Sequence, residues 1–525
     1  MYIISINTIR YIKDERMVSL EKLAIANPWW SKGTGFALQD EKLRELLNPE
    51  GFRIKRTDLS LEPNKVYVIK GPRQTGKTSW LKLLVLNLLE KGTAHERDIL
   101  YFSFDEVKSS TELSNMLNAF LDNPHSGRAY LLLDELQNVR EFNSVLKNLY
   151  DNGRLANTAT IITGSLAHML YEPGRGSEGN VYYMRTTTFK TFAQSIMSDI
   201  NADTGIGVNR INQLLGYNFS NEEAEKLLKL LGAETGLESG LEEVYNKAVA
   251  LSPYILPLSK LFYIYLRTGG YPDSLNSYLK GLRSGHGPEY INPDIYTRTI
   301  NYLKSDAATL AGKGIGDQAL AAKVLDSVFK YVGVKVSYAK MSNEIGTNKV
   351  TFTNYIRRLE NSFAFIILNG VGEDLEKKET KKLYFSDVLM HYSVGASVSG
   401  KPGAVFSEDT INSTQIGKLV EEAVICNIIQ IKEEDQMRDY NTYISFYHSN
   451  TGREIDFIYK RNDGSSIGIE VKYQNSTSSI GDIRRIRAVS DYMILSKDEL
   501  NLRSGVLTLP VCIFLALIKK SAHNM

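Results

Sequence analysis

The chain has 525 residues, 43% hydrophobic and 23% charged, an ordinary globular balance in a length too great for one core. Its 62 basic and 60 acidic residues leave a net charge of +2, so no chain-wide field demands nucleic acid or an anionic membrane, and any such surface must be local. Two cysteines, Cys426 and Cys512, exclude a disulfide framework and lack metal-ligand spacing, which points to a reducing, cytoplasmic setting.

Met1 to Arg10 lacks a basic leader and a small-residue cleavage site, and is expected not to be a secretion signal. No run approaches the ~18 apolar residues of a membrane helix, and Leu509 to Ile518 reads as a final buried strand or helix. Asn27-Pro28-Trp29-Trp30 holds two of the three tryptophans, a pair expected to pack, or to cover an adenine or a neighbouring subunit. Lys65 to Lys70 then has the β-branched and aromatic content of a buried strand.

That strand runs into Gly71-Pro72-Arg73-Gln74-Thr75-Gly76-Lys77-Thr78, which fits the phosphate-loop pattern G-x-x-x-x-G-K-[ST]. The loop curls its N–H groups toward phosphate oxygens, and the helix from Ser79 to Glu90 offers its positive end to the same anion. Lys77 is expected to reach the β- and γ-phosphates of ATP, and Thr78 to hold Mg2+. Tyr130 to Glu135 is a second apolar strand closing on two acids. Asp134 is expected to act on Mg2+ through water, and Glu135 to orient and deprotonate the attacking water. A third strand, Thr160 to Thr163, ends in Gly164-Ser165, where Ser165 can sense the γ-phosphate.

Residues 201–251, rich in Glu, Lys and Leu, read as an inserted helical pair with a solvated face. From 255 to 305 the reading is helical, broken by Thr268-Gly269-Gly270-Tyr271-Pro272, and 303–322 reads as a hinge or loop. Three short amphipathic helices follow at 324–331, 337–345 and 349–360, the lengths of a winged helix-turn-helix. The third carries Lys349, Arg357 and Arg358, suited either to a DNA major groove or to a rigid arm packed on the nucleotide domain.

Near the C-terminus, Asp456 sits on one strand of a hairpin and Glu470-Val471-Lys472 on the next, with Glu470 and Lys472 two apart and so on one face. Two carboxylates and a lysine at a strand edge can bind Mg2+ through Asp456 and Glu470, activate water and stabilise a phosphodiester under attack. Glu421, on a helix, completes the acid set. This is the arrangement of the PD-(D/E)xK nuclease fold; an exposed edge with paired charges is the alternative.

Taken with Leu133 to Gln137, Thr163-Gly164-Ser165, Gly269 to Pro272, Lys382 to Asp387 and Gly417 to Glu421, the chain resembles archaeal and bacterial AAA-type P-loop ATPases, related to STAND ATPases, with a nuclease-like C-terminal domain. The resemblance implies that Gly270 to Pro272 lies near the adenine and sugar, and that Arg175, with Arg185 second, reaches a neighbour's γ-phosphate in a ring or dimer. The expected class is α/β: a P-loop NTPase parallel-sheet domain (20–198), a helical lid with an inserted pair (199–318), a winged helix-turn-helix (319–400) and an α/β restriction-endonuclease-like domain (401–525). Two functions compete. One is an oligomeric ATPase driving a C-terminal domain that binds or cuts DNA. The other is a regulatory switch whose nuclease-like domain is a scaffold. A third reading makes the winged helix an adaptor for an operator or a protein partner.

Overall fold

The computed structural model describes residues 20–47, 59–105, 109–165, 180–198, 212, 214–283, 291–308, 318–430, 440–449, 451–473 and 485–519. Met1 to Arg10 and Arg175 lie outside the described residues, as do residues 309–317 of the expected hinge.

Five strands form the first sheet: β1 (Lys65–Lys70), β2 (Ile99–Ser103), β3 (Ala129–Asp134), β4 (Thr158–Gly164) and β5 (Val181–Tyr183). Every pair is parallel, and the order is β2-β3-β4-β1-β5. Buried on both faces, the central strands are apolar at nearly every position, as parallel sheets require. The period of two splits their side chains between two cores. Val68, Leu131, Leu133 and Ile162 face one. Ile69, Leu132 and Ile161 face the other, with Trp80, Leu81 and Val85 of the helix Lys77–Glu90.

The paired tryptophans turn out to guard an edge. β2 is an outer strand, and the Asn27 side chain donates to Tyr101 O (2.9 Å) and accepts from Tyr101 N (2.7 Å), as a neighbouring strand would. Trp29 and Trp30 both donate their indole N–H to Ile99 O, at 3.3 and 2.9 Å. Open backbone groups on an edge strand are thereby blunted. The pair packs on the sheet and does not line the nucleotide-side cavity described below.

The second body is built around eight strands: β6 (Phe365–Val371), β7 (Lys377–Phe385), β8 (Ile444–His448), β9 (Glu454–Lys460), β10 (Ser466–Lys472), β11 (Asp491–Ser496), β12 (Asn501–Arg503) and β13 (Val506–Pro510). The sheet is mixed, in the order β12-β13-β11-β10-β9-β8-β6-β7. Helices Gln318–Lys330, Tyr338–Glu344 and Lys349–Asn361 stand near the three expected helical segments and precede the β6/β7 hairpin. That hairpin does not stand apart, because Gly370 and Val371 pair with Phe446 and Tyr447 of β8. One sheet therefore crosses the boundary expected at residue 400.

The core is equally continuous, running from Phe189 to Ile518. The inserted helices Asn221–Gly232 and Leu241–Leu251 belong to it. Thr235 N donates to Leu517 O and Lys519 N to Thr235 O, while Arg461 Nε donates to Leu237 O (2.6 Å). The insertion is therefore docked on the far end of the chain. Leu303 to Ala308, expected as hinge, completes the helix Pro293–Ala308, because Leu303, Ala307 and Ala308 are apolar and buried. Contrary to the sequence expectation, Leu241–Thr268 reaches the length and apolarity of a membrane crossing, though half of its apolar window is buried within the protein.

Candidate functional site

β1 delivers the phosphate loop and β3 the two acids, with β4 between them. All three strands end at one edge, where open α/β sheets place their ligands. Gly71 has no room for a side chain, since a Cβ there would lie 2.1 Å from Met184 O, and Gly76 takes a left-handed φ of 94°. The helix Lys77–Glu90 starts directly behind.

Lys77 is buried, and its ammonium donates to the loop's own carbonyls, Gly71 O (2.9 Å) and Pro72 O (2.7 Å). Glu135 Oε1 is 3.9 Å away. Burial lowers the Lys77 pKa against the pull of Glu135 and Asp134. Thr78 Oγ1 donates to Asp134 Oδ2 (2.6 Å), so the two expected Mg2+ residues already touch. Tyr101 OH donates to the same oxygen (3.1 Å), and Thr163 Oγ1 to Oδ1. Burial raises the Asp134 pKa, and the Thr163 and Thr78 hydroxyls hold it back. These oxygens on one side of the loop are the donor chemistry a magnesium ion takes, so Thr78 and Asp134 fit that ion.

Glu135 occupies a left-handed backbone position, φ 53°, with its N–H on Thr163 Oγ1 (3.2 Å). Its Oε2 accepts from Gln137 and from Ser165 Oγ (3.4 Å). Burial would raise its pKa, but Lys77 and Gln137 outweigh that and the carboxyl is held below its ordinary value. Ser165 is fully buried beneath Glu135. Tyr101, Thr163 and Gln137 carry contacts that the motifs alone do not disclose. Thr163 and Gln137 lie within segments that carry the family resemblance, whereas nothing in the sequence singles out Tyr101.

A cavity of about 720 Å³ opens beside the loop, lined by Gln74, Thr75, Gly76 and Ser79 and reaching Pro272. Leu46, Leu59, Leu61 and Trp80 give it an apolar wall, and its size suits a small-molecule ligand. Arg73 turns the other way and pairs with Asp306 (3.1 Å), a buried acid whose pKa burial pushes up to about 6. Arg185 is buried over the Tyr183 ring and donates to Ile429 O (3.5 Å). Reaching a neighbouring subunit is closed to it, which corrects its place as second choice for a trans-acting arginine.

Residues 63–192 match a family model described as AAA domain (AAA_14). They form an AAA-type P-loop domain. Two domains of unknown function, DUF8612 and DUF4143, match residues 259–397 and 416–507. An uncharacterized protein of Methanocaldococcus jannaschii, MJ1637, is 24% identical over 481 residues, 88% of each chain. Among solved structures, a Thermotoga maritima RuvB variant is 15% identical, covering 66% of this chain and 89% of its own, with a TM-score of 0.26. Cdc6p of Pyrobaculum aerophilum is 14% identical, covering 74% and 94%, with a TM-score of 0.24.

The C-terminal acids come together away from the AAA domain. Asp456 Oδ2 accepts Val471 N (3.0 Å), just past the point where the β9/β10 ladder stops at Phe457 and Ile469. Its Oδ1 lies 3.3 Å from Lys382 Nζ, which also meets Glu421 Oε1 (3.2 Å) and Glu454 Oε2 (3.6 Å). Tyr384 OH donates to Glu421 Oε1 (2.5 Å). Burial, then Asp456, lifts the Glu421 pKa to about 7. Burial alone would lower that of Lys382, but the three carboxylates raise it well above the ordinary lysine value. Glu470 pairs instead with Lys472 (3.3 Å), whose side chain is half exposed. On the third of the three short helices, Lys349 and Arg357 are exposed, while Arg358 turns in to Ala307 O (3.3 Å).

Proposed function

We propose that the chain is an ATP-hydrolysing, AAA-type oligomeric ATPase whose nucleotide state controls a DNA-binding second body. The observation that carries this is the Thr78–Asp134 contact beside Lys77 and Glu135, set at the strand ends of an AAA domain. In that site Lys77 leaves the Gly71 and Pro72 carbonyls to bind phosphate oxygens. Glu135 leaves Gln137 and Ser165 to orient water and take its proton. Bound at Thr78 and Asp134, Mg2+ would supply charge neutralisation on the phosphates. The apolar wall beside Pro272 suits the base, and Arg175 remains the preferred arginine to act across a subunit boundary.

Lys349, Thr353 and Arg357 share one helix face by their spacing of four, which supports a phosphate-backbone contact. A non-cleaving, scaffold role for the C-terminal domain is favoured over a nuclease by Lys382 standing among its acids. The test incubates labelled duplex, single-stranded and branched DNA with ATP and Mg2+ or Mn2+. Turnover is expected to vanish in Lys77→Ala, DNA affinity to fall in Lys349→Glu/Arg357→Glu with turnover kept, and no DNA to be cut. Unchanged turnover in Lys77→Ala sinks the ATPase reading.

A further inference from the structure

The resemblance calls for a divalent ion at Asp456 and Glu470, and the residues do not fit one. Such an ion needs several oxygen lone pairs converging on open space. Asp456 is instead drawn together with Glu421 and Glu454 around Lys382, whose residue is 1% exposed. Both Asp456 oxygens are engaged, one by the ammonium and one by Val471 N–H. Glu421 Oε1 takes the ammonium and the Tyr384 hydroxyl together. The motif lysine, Lys472, is turned half outward onto Glu470. Among the described residues no group of three or more His, Cys, Asp or Glu is arranged to hold a metal ion.

Lys382 reaches this point only because the sheet bends. β7 and β9 are three steps apart in the strand order, about 14 Å in a flat sheet. Register shifts in β6 between Asn369 and Val371, and in β8 between Ser445 and Tyr447, mark where irregular strands curl it. An ammonium is a compact charge with three donors, matched here to three carboxylates. Displacing it would strand a buried cation without partners, a costly outcome.

We infer that the Lys382 ammonium is the resident cation of the Glu421, Glu454 and Asp456 cluster, and that by engaging Asp456 it denies Glu470 the partner carboxylate a divalent ion would need. The natural chain therefore takes no divalent cation there, and Lys382 ties β7 to β9 and to the helix Ile416–Ile428. This goes beyond the ATPase reading and does not depend on it.

The probe is Mn2+ alone, added to the full chain without nucleotide and followed by electron paramagnetic resonance, with circular dichroism confirming the fold of each variant. Wild type, Asp456→Asn and Glu421→Gln are expected to bind Mn2+ alike. Lys382→Met is expected to gain one Mn2+ per chain and to lose it again when Asp456→Asn is added. The inference is overturned if wild type holds a Mn2+ ion that Asp456→Asn or Glu421→Gln releases, or if folded Lys382→Met gains none. Should Lys382→Met not fold, the wild-type comparison with Asp456→Asn and Glu421→Gln decides alone. Failure of the ATPase reading would register in Lys77→Ala turnover and leave this experiment unaffected.

Discussion

Two buried lysines stand beside carboxylates in this molecule, and they are held in opposite ways. Lys77 rests on two backbone carbonyls, with its nearest carboxylate oxygen at 3.9 Å, so incoming phosphate finds a cation whose present partners are neutral. Lys382 is enclosed by Glu421, Glu454 and Asp456, and an incoming anion or metal finds its charge already matched. Similar residue types thus make a receptive site in one body and a closed one in the other. What separates them is whether charge is compensated within the fold.

The largest expected effect tests the closed site. Lys382→Ala removes one partner of a buried charged cluster and should cost about 3–5 kcal/mol in urea unfolding. A loss no greater than that of an exposed ion pair would show that the cluster is open after all. Lys77→Ala should instead spare folding and lower ATP turnover at least about 100-fold, the scale of losing an aligned charge in a reacting site. If both variants chiefly unfold the chain, the contrast between the lysines disappears.

A smaller effect concerns pH. Asp306 and Asp387 are pushed up to about 6 and Glu421 to about 7, mainly by burial. A carboxyl raised in the folded state contributes stability that is complete below its unfolded pKa and lost as pH rises through its folded one. Thermal unfolding should therefore show a stability component that declines between about pH 4 and pH 7, and Asp306→Asn should remove its share of that slope. The smallest effect is Trp30→Phe, which deletes the indole bond to Ile99 O on the edge strand and should cost about 0.5–1.5 kcal/mol.

Much of the AAA domain was legible in advance because its site is written in contiguous segments. A loop that must curl around phosphate needs Gly71, Gly76 and Lys77 within a few residues, and a strand ending in Asp134-Glu135 declares itself by its apolar run. Arg185 misled because an arginine's burial is invisible in sequence. The sequence marks Lys382 only as the start of the resembling segment Lys382 to Asp387, and its place among acids is hidden for a related reason: it ends the charged stretch Lys377 to Lys382. Only its alternation with Leu383, placing it on one face with Tyr384, hinted otherwise.

By itself, the sequence determined the parallel-sheet nucleotide domain, its three motif strands, the helices flanking Gly269 to Pro272, and the hairpin bearing Asp456 and Glu470. Those features follow from local periodicity and from chemistry that demands close spacing. Tertiary structure alone decided that the inserted helices dock on residues 517–519, that one sheet crosses residue 400, and that Lys382 meets acids on two other elements. Such contacts join residues about 40 to 280 positions apart, and they are set by how a bulged sheet curls and which faces must be covered. No local pattern in the chain records that.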